Sequence, residues 1–164
     1  MFFYSLISIL TFPGVIIHEA GHKIFCEMTG VKVFKTRYFK FGNPAGYVIH
    51  ADPNGFIQSF FITAGPFIVG TLVALLFFIF SKAVPDGSYY KYVLIWLGGA
   101  VGMHAFPSPA DAKVLWRSTN ERVWHNPFVI CGYPFVFILW IFSVIRATWS
   151  DLLYAVILYA VVIK

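Results

Sequence analysis

Charge is what this chain has least of. Asp, Glu, Lys and Arg together make up 12% of its 164 residues, and only seven residues are acidic. Soluble domains carry about a quarter charged residues, so an ordinary water-facing surface is excluded. With 59% hydrophobic residues and a mean hydropathy of +0.77, the composition predicts an integral membrane protein of one domain, residues 1–164. Cysteine is also scarce. Cys26 and Cys131 are too few for a disulfide framework and show no paired metal-ligand spacing, so both read as small apolar fillers. No basic start precedes the first apolar run, so no cleavable signal peptide is expected and residues 1–17 belong to the mature protein. A net charge of +5 would point to nucleic acid in a soluble protein; here it reads as membrane topology, with no nucleic-acid partner.

What the chain does have is long apolar runs. A spanning helix needs roughly 20 residues, and five stretches are candidates: 2–28, 55–81, 92–110, 127–145 and 147–163. The expected fold is therefore an α-helical, multi-pass integral membrane protein of about five transmembrane helices. Pro13-Gly14 is a candidate kink in the first stretch. Thr148 with Asp151 three residues on resembles a capping box for the last helix, and Arg146 would mark the turn of a helical hairpin. Residues 1–115 form the core of this domain, with two further helices over 127–164.

Between the first two stretches the pattern changes. Residues 31–41 (VKVFKTRYFKF) mix β-branched, aromatic and basic side chains, and 47–51 form a second short extended run. Gly42-Asn43-Pro44-Ala45-Gly46 separates the two, and Asp52-Pro53-Asn54-Gly55 follows. Both are strong turn signals, so the segment predicts a small β-hairpin. An open sheet edge cannot face lipid, which puts the hairpin at the membrane interface or beside a protein-lined cavity.

The chemistry is concentrated in HEAGH, residues 18–22. Two histidines four apart share one face of a helix, where both imidazoles can reach one zinc ion. Glu19 between them can act as general base on a water that the metal polarises. Ionisable groups inside an apolar stretch are costly and point to function. A catalytic zinc site normally has three protein ligands. Asp111, just after Pro107-Ser108-Pro109, is the best third candidate, at the end of the third stretch and level with His22. His104 is the competing ligand; it could instead bind substrate or stabilise an oxyanion. The paired prolines would break the helix, which is tolerated in a membrane only beside protein or a polar cavity. His50 and His125 read as surface and interfacial histidines. The tryptophans and tyrosines read as interface anchors and core, and Gly65, Gly70, Gly98, Gly99 and Gly102 as sites of close helix contact.

Lysine and arginine divide unevenly between the two sides implied by five spans. Lys23, Lys32, Lys35, Arg37, Lys40, Lys113, Arg117, Arg122 and Lys164 fall on one side; Lys82, Lys91 and Arg146 fall on the other. The asymmetry turns the active site towards the cytoplasm.

These residues resemble the site-2 protease group of intramembrane zinc metalloproteases. HEAGH matches in order with Ala45-Gly46-Tyr47-Val48, with Ala64-Gly65-Pro66, and with Pro107-Ser108-Pro109 leading to Asp111. The family has Gly-Gly-Tyr-Val, Ala-Gly-Pro and Asn-x-x-Pro-x-Pro-x-x-Asp-Gly at these places, so the resemblance covers about residues 10–115. His104 stands at the family's asparagine, Ala112 replaces the glycine after the aspartate, and Val69 sits where an asparagine often follows Ala-Gly-Pro. The spacing from the last proline to the aspartate is one residue shorter. There is no room for PDZ or CBS domains. The resemblance implies a compact, divergent branch.

The expected function is hydrolysis of a peptide bond in a membrane protein or peptide substrate, within or beside the bilayer. Zinc would be held by His18, His22 and Asp111, with Glu19 as the base. The hairpin, through Tyr47, Val48 and Ile49, could hold an unwound substrate strand by β-addition. Two other readings stay open: a zinc hydrolase acting on a lipid or small amide, and a non-catalytic membrane subunit that keeps zinc for structure. Structural zinc is normally closed by four protein ligands, whereas this sequence most readily supplies three, which favours catalysis.

Overall fold

A computed structural model describes residues 2–123, 127–145 and 150–164. The expectations placed on His125, Arg146 and Thr148 lie outside them. Seven α-helices and one two-stranded sheet make up the described chain. Helix α1 spans Phe2–Leu10 and α2 spans Phe12–Met28; strands β1 (Val33–Arg37) and β2 (Tyr47–His50) follow. Then come α3 (Phe56–Ala83), α4 (Tyr89–Met103), α5 (Pro109–Val123), a 3-10 turn (Pro127–Gly132), α6 (Tyr133–Ile145) and α7 (Ser150–Ile163).

The expectation of about five transmembrane helices is overturned. Among the described residues one helix, α3 with 28 residues, is long and apolar enough to cross a membrane. The other apolar stretches are cut short. A helix rises 1.5 Å per residue, so the 15 residues of α4 and the 13 of α6 reach only about 22 and 20 Å, short of the ~30 Å hydrocarbon core. The first stretch divides at Thr11, which has left the helical region at φ −112° and ψ 28°. Pro13 then sits in the first turn of α2, where its missing N–H leaves nothing unpaired. The break is therefore just before the candidate kink at Pro13-Gly14. The third stretch ends at Met103, because Pro107 and Pro109 cannot continue the helical ladder.

Pro109 instead opens a new helix, and this one is polar. Ser108 and Asp111 cap its start reciprocally: the Ser108 N–H donates to Asp111 Oδ2 at 2.7 Å, and the Asp111 N–H donates to Ser108 Oγ at 3.3 Å. Asp111 therefore lies in the first turn of α5 and not at the end of the third apolar stretch. Helix α5 is tied to α3 by a Ser59 Oγ to Ser118 Oγ contact of 2.7 Å, and Arg122 donates to Ser118 and to the Pro53 carbonyl.

Ala74 and Phe78 of α3, Val101 of α4 and Leu158 of α7 form the main buried cluster, with Ile17 of α2 packed against it. Cys26, Val31 and Ile62 form a second cluster, which Val33 and Ala51 of the hairpin cover. The expected hairpin is present. Strands β1 and β2 are antiparallel, with Arg37 opposite Tyr47, Thr36 opposite Val48, and a bulge between Val33 and Lys35. Helices α2 and α3 cross at backbone contact: a Cβ on Gly21 would lie 2.7 Å from the Pro66 Cα, and one on Gly65 would lie 2.7 Å from the Gly21 carbonyl oxygen. No side chain fits at that crossing.

Candidate metal centre

Helix α2 carries His18 and His22 one turn apart, so their rings lie side by side with centroids 4.9 Å apart. The first turn of α5 brings Asp111 against both. Asp111 Oδ2 is 3.7 Å from His18 Nε2, and Oδ1 is 3.4 Å from His22 Nε2. One ligand atom from each of the three residues can be chosen so that all lie within 4.8 Å of one another. Two ligands about 2.1 Å from a tetrahedral ion stand roughly 3.4 Å apart, which matches these spacings. The group could hold a metal ion.

The outer nitrogens of both rings support the same reading. His18 Nδ1 donates to the His104 carbonyl at 2.8 Å, and His22 Nδ1 donates to the Ile62 carbonyl at 2.9 Å. A carbonyl can only accept, so each Nδ1 carries the proton. In a neutral ring Nε2 then presents its lone pair towards Asp111. Carbonyl partners of this kind fix tautomer and ring orientation in metal-binding histidines. The alternative arrangement, two imidazolium rings donating to Asp111, would place Nε2 within about 2.7–2.9 Å of the carboxylate; both observed distances are longer. His18, Glu19 and His22 are each less than a tenth exposed, and buried charges persist only when paired or bound to metal.

His104 does not join the cluster. Its Nε2 meets Thr11 Oγ1 at 2.7 Å, and the Thr11 hydroxyl itself donates to the Ile7 carbonyl at 2.7 Å. Since that hydroxyl proton is engaged, His104 is the donor to Thr11 and its backbone carbonyl is what reaches the metal centre. Thr11 carried no sequence signal beyond standing two residues before Pro13.

His18, His22, His104 and Asp111 open on one cavity of about 860 Å³. Glu19 lines it beside His18, His22 and Asp111. Tyr47 and Val48 line it as well, while Ile49 is not among the lining residues and is half-exposed. The chain before β2, from Asn43 to Gly46, also reaches the cavity, and Gly46 lies directly on Glu19. His50 lines the cavity too, with its Nδ1 donating to the Ala51 carbonyl at 2.8 Å. Asp151 and Leu152 of α7 complete the wall, which residue patterns in the first 115 positions could not reveal. Helix α7 is held there by Thr71 Oγ1 and Tyr154 Oη at 2.7 Å, and by the Tyr154 ring against Phe106 at 4.7 Å. Compared with known protein families, curated proteins and solved structures, the chain matches none.

Proposed function

We propose that this protein is a membrane-bound zinc metalloprotease that cleaves a peptide bond of a membrane-associated substrate. One observation carries the reading: two histidine Nε2 atoms, both oriented by carbonyl bonds at Nδ1, converge with a carboxylate in a cavity that also holds Glu19. The resemblance of HEAGH, the hairpin and the proline-flanked Asp111 to site-2 proteases points to the same chemistry. Three protein ligands, as found among the described residues, suit a catalytic zinc site better than a closed structural one.

A zinc ion held by His18, His22 and Asp111 would supply Lewis-acid chemistry, making water acidic and polarising the scissile carbonyl. The remaining work falls to the chain. Glu19 follows His18 by about 100° around the helix, which separates its carboxylate from the ligand row while leaving it on the cavity wall. It accepts the proton of the attacking water on a carboxylate oxygen and delivers it to the nitrogen of the leaving amine. Strand β2 has no second strand partner among the described residues. Its cavity-lining residues Tyr47 and Val48 would hold an unwound substrate segment by backbone pairing.

Membrane attachment rests on the length of α3, and on large apolar side chains that α3, α6 and α7 leave exposed. These include Leu72, Leu76 and Phe80 of α3, Phe135 and Trp140 of α6, and Leu153 and Val156 of α7. The basic hairpin before α3 favours a cytoplasmic position for the cavity.

Glu19→Gln tests the mechanism. The variant keeps shape and hydrogen bonding but cannot take the proton, and loss of a general base costs about a hundredfold to ten-thousandfold. Full-length Glu19→Gln protein is expected to hold stoichiometric zinc and to leave single-span peptide substrates uncleaved. Cleavage at the wild-type rate would exclude Glu19 as the base.

A further inference from the structure

Helix α3 contains a proline at an unusual depth, ten positions after its start at Phe56 and within an otherwise continuous helix. In an α-helix the carbonyl of residue i−4 accepts the N–H of residue i. For the Ile62 carbonyl that donor position is residue 66, and Pro66 has no N–H to give. Ile62 is buried, with 4% of its surface exposed. A buried carbonyl without a donor is unfavourable and rare. The donor that fills the place is His22 Nδ1, at 2.9 Å, from the neighbouring helix.

We infer that Pro66 is a positioning residue for the metal centre: by withholding the helical donor from the Ile62 carbonyl, it frees that carbonyl to orient His22. The inference rests on the reading of His18, His22 and Asp111 as a metal site and adds a device that reading does not require. Two features of the crossing support it. Gly21, next to His22, would bring a Cβ within 2.8 Å of the Pro66 nitrogen, so the helices meet at the atom that lacks its hydrogen. Gly65 would likewise clash with the Gly21 carbonyl oxygen at 2.7 Å, so the small residue beside the proline is what lets α2 come near enough. The consequence is counter to the usual effect of a proline. Inside a helix proline is the least favourable residue and alanine the most favourable, so Pro66→Ala should leave α3 at least as stable. The new alanine N–H would reclaim the Ile62 carbonyl along the helix axis and compete with His22 Nδ1. Loss of an outer-shell partner of this kind lowers metal affinity by about 10- to 100-fold.

The test uses full-length protein and cobalt(II) as the probe, with affinity and visible absorption as readouts. Pro66→Ala is expected to bind cobalt at least tenfold more weakly than wild type, with shifted absorption bands and an undiminished melting temperature. Placing L-lactic acid at position 66 introduces an alanine-like side chain on an ester oxygen that has no hydrogen. That variant is expected to retain wild-type affinity and spectrum, because the Ile62 carbonyl stays free. Pro66→Ser, which also brings an N–H, is expected to follow Pro66→Ala and serves if the alanine protein does not fold. Wild-type affinity and spectrum in Pro66→Ala would overturn the inference, as would an ester variant as weak as the alanine one. A wild-type protein that takes up neither cobalt nor zinc would overturn the metal reading itself, and this inference with it.

Discussion

Gly46 lies against Glu19 so closely that a Cβ there would stand 2.6 Å from the glutamate Cγ and 3.0 Å from its Oε1. The same Cβ would meet the Tyr38 carbonyl oxygen at 2.9 Å, so backbone on one side and the glutamate on the other leave it no room. The hairpin that faces the cavity thus also confines the proposed general base.

From this contact a specific outcome is expected for Gly46→Ala. Glu19 must rotate away, since the Tyr38 carbonyl belongs to the strand connection and yields less readily than a side chain. Because the metal ligands are not displaced, zinc content should stay stoichiometric while cleavage falls at least tenfold, on the scale of a misplaced catalytic group. Measuring metal content and turnover on the same preparation checks this; equal turnover in Gly46→Ala and wild type would show that the contact does not position Glu19.

Metal binding should respond to four alanine substitutions in a graded way. His18→Ala and His22→Ala remove a nitrogen ligand and should abolish stoichiometric zinc. Asp111→Ala should weaken binding strongly, because its oxygens lie 3.4 and 3.7 Å from the two Nε2 atoms. His104→Ala should retain most of the metal, since its carbonyl, not its imidazole, meets His18. Full zinc in Asp111→Ala together with loss in His104→Ala would reverse the assignment of the third ligand.

Orientation can be read by thiol labelling in a background without Cys131; Cys26 is fully buried and serves as its own control. The hairpin before α3 carries Lys32, Lys35, Arg37 and Lys40, whereas Lys82 and Lys91 flank the other end of α3. Thr36→Cys should react with an impermeant reagent only from the cytoplasmic side and Ser88→Cys only from outside. The opposite pattern would invert the proposed access to the cavity.

Much of the site was legible in the chain because its signals are local. The spacing of His18 and His22 places both rings on one helical face whatever the rest of the molecule does. Turn residues over 42–46 between two extended runs mark the hairpin, whereas its register and the bulge between Val33 and Lys35 appear only in the structure. Asp111 was legible as a ligand candidate, but its place was read as the end of the third apolar stretch, and the reciprocal cap with Ser108 that opens α5 emerged only in the structure. What hydropathy could not deliver was the number of spans. An apolar stretch reads the same whether it faces lipid or another helix, and average composition hides a break such as the one at Thr11.

The residue pattern by itself determined which atoms are available: two imidazoles one turn apart, a carboxylate between them, and an aspartate just after the paired prolines. Tertiary structure alone decided how those atoms are held. His18 and His104 are 86 residues apart, and His22 and Ile62 are 40 apart, yet each pair is joined by one hydrogen bond. The Ile62 carbonyl is open to His22 because Pro66 brings no N–H, and α2 can reach it because Gly21 and Gly65 leave backbone against backbone. Spacing along a helix follows from its pitch, but contact between helices depends on which side chains are absent where the backbones cross.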